Sequence, residues 1–391
     1  MKPIYKIIII SVSVLLAVFF VYFLWSKFFV PAPVAQEEQP NATINVPLPQ
    51  DARIGAIAST STEDSYTFRK LSNKPVLGFW VSKTTKAVFY ISADGEVIEA
   101  KDSGDVPASK QTIAGLIRVE PSPSGERALI SYGNPSSPQW ALFDTIDKVW
   151  RPLPKEIISV AWASTETQLV GSVQKNGVTS LSFIDISKQP YVFKTIVSNF
   201  SMRGISFYAK SATEILISEK PSSYASSRVW QIDTKTGIVT LVISPAFGSF
   251  VRWGSNKDVL FRFSSPNKFS ILDRTFSELV PLVLITLPTK CDGGADVVYC
   301  FVPKDRGVFV RTNAIPDDYF MNKLYTSDDL YKIVLQSGTD SAVVVGESGP
   351  IPSLDADNVV SVNNSIYFVN RYDGYIYVIQ HQSNEPPIYD Y

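Results

Sequence analysis

Cys291 and Cys300 are the only cysteines among 391 residues, and His381 is the only histidine. That inventory narrows the chemistry open to the chain. Two thiols with no histidine nearby cannot complete a zinc site. They also lack Cys-x-x-Cys spacing and a flanking base for redox work. Asp292 to Tyr299 separates them, with Gly293-Gly294 suited to a turn between two strands. Placed opposite each other on those strands, they form a structural disulfide. Closing a loop of about ten residues stabilises by about 2.7 kcal/mol. His381 would be the one base for a Ser-His-Asp or Cys-His mechanism. It follows the last strand and precedes a polar tail, so it reads as a solvated or capping residue. No Gly-x-Ser-x-Gly elbow occurs, and Gly346-Glu347-Ser348-Gly349 has the wrong spacing. Gly-rich phosphate loops and His-Glu-x-x-His are absent as well.

The acidic pairs Asp317-Asp318 and Asp328-Asp329 are sequence neighbours, which fixes no facing geometry for a glycosidase acid and base. Asp355, Asp357 and Asn358 supply too few oxygens and no glycine turn for calcium, so they read as a solvated connection. No residue set is therefore assigned to catalysis, a cofactor or a metal. The stretch 303–323 is the main irregularity. It carries Arg306, Arg311, Asn313, Asp317, Asp318, Tyr319 and Phe320 with little strand pattern. Long excursions on rigid scaffolds are often binding loops, which makes Arg306, Arg311, Asp317, Asp318, Tyr319 and Phe320 candidate partner-binding residues. The competing reading packs Tyr319 and Phe320 against a sheet edge.

These residues need a scaffold, and the sequence outlines one. Ile7 to Trp25 is apolar except for Ser11 and Ser13, with Lys2 and Lys6 ahead of it. As a helix it spans roughly 28 Å, the thickness of a bilayer core. A cleaved signal peptide has a shorter apolar region and a small-x-small site, whereas this run ends in bulky aromatics. The early lysines place residues 1–30 as a cytoplasmic end plus one membrane-spanning helix, with the bulk of the chain extracytoplasmic. Residues 31–64, with Pro31, Pro33, Pro40, Pro47 and Pro49 among polar neighbours, read as a disordered linker. Lys plus Arg number 36 against 37 Asp plus Glu, which gives no electrostatic case for nucleic acid.

From residue 65 onward short apolar runs such as Ala87-Val88-Phe89-Tyr90-Ile91 and Tyr375-Ile376-Tyr377-Val378-Ile379 alternate with Asp-Gly and Asn-Gly turns. Successive apolar positions mark strands covered on both faces. A period emerges when Gly78-Phe79-Trp80, Val119-Glu120-Pro121, Val160-Ala161-Trp162, Ile205-Ser206-Phe207, Val251-Arg252-Trp253 and Lys290-Cys291-Asp292 are aligned. Their spacing of about 39 to 46 residues is that of a four-stranded propeller blade. Seven units follow, at 75–100, 116–153, 157–197, 203–244, 249–287, 288–336 and 355–382. The fold class is all-β, a seven-bladed propeller of antiparallel blades over residues 65–382, with a tail at 383–391. The last unit shows only three strands, so Tyr66 to Leu71 should complete it and close the ring.

The strings Val160-Ala161-Trp162-Ala163-Ser164 and Val251-Arg252-Trp253-Gly254-Ser255 resemble the repeats of TolB, WD40-like and dipeptidyl-peptidase-type propellers. Arg69-Lys70-Leu71-Ser72 through Val88-Phe89-Tyr90, with Ile315-Pro316-Asp317-Asp318-Tyr319, resembles single-pass, membrane-anchored bacterial propeller proteins. Such proteins carry the turn Ser-Pro-Asp-Gly, represented here by Ser122-Pro123-Ser124-Gly125. The expected function is a non-enzymatic scaffold that holds a protein or glycan partner in the cell envelope. A propeller enzyme, a lyase or glycan hydrolase with carboxylates on the rim, is the alternative, and a passive spacer the third.

Overall fold

The computed structural model describes residues 65–312, 314–348 and 351–382. The expected span Ile7–Trp25, the linker 31–64 and the tail 383–391 lie outside the described residues. Among those described, no helix is long and apolar enough to cross a membrane.

Seven four-stranded antiparallel sheets make up the described chain. Their innermost strands are Val76–Val81, Leu116–Pro121, Ile157–Trp162, Ile205–Ala209, Phe250–Trp253, Cys291–Gly293 and Ala356–Val362. In the first six blades sheet order follows chain order. The seventh is assembled from both ends: Ser65–Lys70 pairs antiparallel with Tyr375–Gln382, Ser65 opposite Gln382 and Lys70 opposite Tyr377. Leu71 N continues that seam to the Ile376 carbonyl at 2.8 Å.

Second strands are the most apolar because neighbouring blades cover both their faces. Val88–Ser92 is buried at every position. The fourth strand of blade one faces solvent and reads as polar, which is why the first unit extends beyond its expected end at 100. Its outer strand, Val106–Thr112, has the sequence VPASKQT and is mostly exposed. Pro107 and Lys110 suit an edge that must not recruit another chain. Blade five ends at Val280 rather than 287, and blade six runs to Val344 rather than 336. The Asn-Gly signal holds: Asn176 and Gly177 have φ of 50° and 80° in a two-residue hairpin.

Closure is visible in the packing. Trp80, Ile130 and Phe143 join blades one and two, while Leu142, Trp162 and Leu169 join two and three. Val170, Phe207 and Ile217 join three and four, and Leu216, Trp253 and Leu260 join four and five. Phe261, Cys291 and Val298 link five to six; Phe301, Leu330 and Phe368 link six to seven. Finally Tyr90 and Val81 pack with Val362 and Val378, which returns blade seven to blade one. Each blade thus buries its two faces only through its neighbours.

Antiparallel order gives the ring two distinct faces. The lower face carries the turns from first to second and from third to fourth strands, together with Ser65 and Gln382. The upper face carries the second-to-third turns and the connections between blades.

Candidate functional site

The 303–323 excursion is the second-to-third connection of blade six and therefore lies on the upper face. It forms two single-turn helices, Val308–Arg311 and Asp317–Phe320. Phe309, Ile315 and Tyr319 pack with Phe263 and Leu287, so the segment rests on blade five. Asp317 reaches blade four, accepting from Ser223 N at 2.7 Å and from the Ser222 hydroxyl at 3.2 Å. Burial opposes ionisation there, but the bonds from Ser223 and Ser222 hold the carboxyl below its ordinary pKa. Gly248 permits the approach: a Cβ there would lie 2.8 Å from the Ile315 carbonyl, and its φ is +62°. Of the six candidate residues, Tyr319 is 1% exposed and Asp317 is engaged within the chain. Asp318 is half-buried, and its carbonyl accepts from Lys323 N at 2.9 Å. Arg306 and Arg311 face solvent, the latter paired with Asp305. Phe320 is 44% exposed and meets Phe250 edge-on at 5.3 Å. The packing alternative describes Tyr319.

Tyr319 also belongs to a buried ionic cluster. Lys290 Nζ lies 2.6 Å from Asp328 Oδ2 and 2.6 Å from Asp355 Oδ1, with all three side chains fully buried. Arg371 meets the other Asp355 oxygen at 2.8 Å and stacks 3.8 Å from the Tyr319 ring. Burial alone would pull the Lys290 ammonium down, but Asp328 and Asp355 outweigh it and raise its pKa. Burial pushes the Asp328 carboxyl up against the pull of Lys290. Asp355 is therefore no part of a solvated connection: it ties blade six, blade seven and the excursion together. Its partners lie 65, 29 and 16 residues away, too far for local sequence to reveal.

Cys291 and Cys300 are bonded, as expected, and sit directly opposite each other on the first two strands of blade six. His381 lies inside the last strand, opposite Tyr66, rather than after it.

The lower face holds a different kind of site. At the mouth of the central channel a cavity of about 210 Å³ is walled by Trp162, Tyr208, Trp253 and Val360, with Glu120, Arg252 and Lys257 among its charged lining. Side chains fix this mouth by bonding across blades. Arg252 donates to the carbonyls of Thr289 at 3.1 Å and Val359 at 2.9 Å, joining blade five to blade seven. Lys83 of blade one reaches the Ser255 carbonyl of blade five at 3.0 Å. Asp292 of blade six accepts from Ser255 N at 2.7 Å and from Ser361 N of blade seven. Glu120 accepts from Trp162 N at 3.1 Å and pairs with Arg118 at 2.9 Å. Burial raises the Glu120 carboxyl despite Arg118, and burial lowers the Lys257 ammonium despite Glu120.

A larger hollow of about 600 Å³ lies at the seam of blades seven and one. Two of its cations meet carboxylates, Arg69 on Asp102 at 2.7 Å and Lys101 on Glu99 at 3.2 Å, while Lys86 makes no ion pair among the described residues. The channel mouth is the better candidate, because several blades converge on it. Charged residues inside otherwise apolar inner strands, such as Glu120 and Arg252, were the sequence signal for it.

Neither a scan of protein-family models nor a search of curated proteins finds a match. Solved structures do resemble the chain. Oligogalacturonate lyase from Vibrio parahaemolyticus has a TM-score of 0.53 at 9% identity, covering 82% of this chain and 98% of that one. The Cps50 (Swd1) propeller domain from Myceliophteria thermophila has 0.49 at 11%, covering 80% and 99%. TolB from Acinetobacter baumannii has 0.33 at 8%, covering 78% and 63%. At such identities the likeness is one of fold alone, and the described chain is a seven-bladed β-propeller.

Proposed function

We propose that this chain is a membrane-tethered binding module of the cell envelope, with Ile7–Trp25 as its span and the propeller on the extracytoplasmic side. The channel mouth on the lower face receives a protein or glycan partner without turning it over. One observation carries the reading: a concave, aromatic-walled mouth whose polar groups are already held in place by bonds between blades. Pre-organisation of that kind lowers the ordering cost of binding. The carboxylates of Glu120 and Asp292 are occupied in holding the blades, which favours recognition over acid–base work.

The lyase alternative draws on Lys257, whose lowered pKa inside a cavity is the property of a general base. The two readings part in one experiment. Full-length chain carrying a photo-crosslinking residue at Thr84, on a lower-face turn, or at Arg306, on the upper face, is irradiated in cells and purified in mild detergent. The same material is screened for glycan and peptide turnover. A defined adduct from Thr84 and none from Arg306, with no turnover, is the expected result. Turnover that is lost in Lys257→Met would replace the module by an enzyme.

A further inference from the structure

The charged groups lining the channel mouth do not balance. In the lining Lys83, Arg252 and Lys257 stand against Glu120, which is paired with Arg118 at 2.9 Å. Asp292 is bonded to Ser255 and Ser361 beside the mouth, and Glu166 also acts on Lys257. Lys83 and Arg252 are bonded to neutral acceptors: the Ser255 carbonyl for the lysine, the Thr289 and Val359 carbonyls and Asn358 for the arginine. The Lys257 ammonium makes no hydrogen bond or ion pair among the described residues, although its backbone N–H donates to the Gly254 carbonyl at 2.8 Å. Some cations elsewhere on the disc meet carboxylates directly, as in Lys74 with Glu96 at 2.7 Å and Arg127 with Asp144 at 3.0 Å. The lining of the mouth therefore carries more cations than carboxylates in a concavity, and low-dielectric walls strengthen their field.

Two further features point to a ligand. The indole Nε1 atoms of Trp80 and Trp253, both in the lining, are buried with no acceptor. A buried donor without a partner is costly unless something supplies the acceptor. The walls are also aromatic, and Tyr208 and Trp253 offer faces on which the C–H side of a sugar ring can pack. A cavity of about 210 Å³ has room for one such ring.

We propose that the channel mouth is a subsite for a hexuronate, the carboxylate-bearing sugar of an acidic glycan, with Lys257 and Lys83 facing the carboxylate and the orphan indoles meeting ring oxygens. The assignment deepens the binding-module reading and rests on it. A carboxylate fits better than a phosphate because Glu120 sits in the same wall, and a dianion would meet its charge. Recognition here involves no bond made or broken.

The test is calorimetric titration of full-length chain in neutral detergent with galacturonate, galactose, N-acetyl-glutamate amide and inorganic phosphate. Galacturonate should bind and galactose should not. Lys257→Met should weaken galacturonate at least about tenfold, the loss expected for one charged contact, while Lys257→Arg stays within about threefold. Lys86→Ala, at the seam hollow, should leave it unchanged, and the variants should keep the parent melting temperature. Equal binding of galactose, or no effect of Lys257→Met, overturns the subsite. Tighter binding of the acetylated amino acid or of phosphate overturns the sugar assignment. If the titrations fail while the Thr84 adduct persists, only the ligand class is wrong; if both fail, the module reading falls with it.

Discussion

Asp355 is the residue on which the upper face turns. Its two oxygens serve Lys290, Thr326 and Arg371, and its backbone N–H is taken by Asn370 at 2.9 Å. Removing one member of a buried ion cluster is worse than removing all of it, because the partners remain charged and desolvated. Asp355→Ala should therefore destabilise the propeller by about 3–5 kcal/mol in guanidinium denaturation. A change within experimental error would mean that water replaces the carboxylate and that the cluster is not what joins blades six and seven. The residue also marks a limit of sequence reading. Its neighbours Asp357 and Asn358 suggest solvent, and the pattern Lys290-Cys291-Asp292 was legible only as the start of a strand. Lys290, Asp328 and Arg371 become a cluster through the ring, so no local window contains the information. Glu120 and Arg252 were closer to legible, since a charge inside an apolar inner strand must be satisfied by something.

At the level of elements, what could be read was set by how much of each strand is buried. Inner and second strands announced themselves by apolar runs, and the turns by Asp-Gly and Asn-Gly. The fourth strand of blade one, Val106–Thr112, was not visible, because its solvent-facing edge has no hydrophobic pattern to show, whereas Val149–Pro152 and Val192–Val197 fall inside the expected units. Blade six has the shortest inner strand, Cys291–Gly293. Its bridge compensates: Cys291 and Cys300 are nine residues apart, and both are fully buried between blades five and six. Chain entropy for a loop of that size predicts a loss of about 2.7 kcal/mol when both are replaced. Alanine is the apt replacement, since serine would bury a hydroxyl as well. The double variant Cys291→Ala/Cys300→Ala, compared with the parent in urea, should show that loss in the midpoint with the slope unchanged. A variant with the parent's midpoint would mean that freeing the unfolded chain costs nothing measurable and that the bridge does not compensate for the short inner strand.

For the whole molecule, stability depends on the ring being shut. An open stack of blades would expose one apolar face at each end, and here those two faces meet as Val81 and Tyr90 against Val362 and Val378. The lock is Ser65–Lys70, which contributes the outer strand of blade seven and leads into Leu71, 8% exposed. The three-stranded look of the last unit and the unpartnered Tyr66-to-Leu71 segment make this seam readable in the sequence itself. Deleting residues 65–72 removes Leu71, Phe68 and Tyr66 from their packing, on the order of 5 kcal/mol of apolar burial. For a domain of this size that is a fall of about 10 °C in melting temperature. It also bares the edge of Tyr375–Gln382, so the truncated chain should associate as concentration rises. A synthetic peptide of residues 63–73 added in trans supplies the missing strand and should restore both melting temperature and monomeric behaviour. A truncated chain that melts like the parent would mean that the blade interfaces hold the ring without the lock. Rescue by a scrambled peptide would mean that the effect is not register-specific pairing.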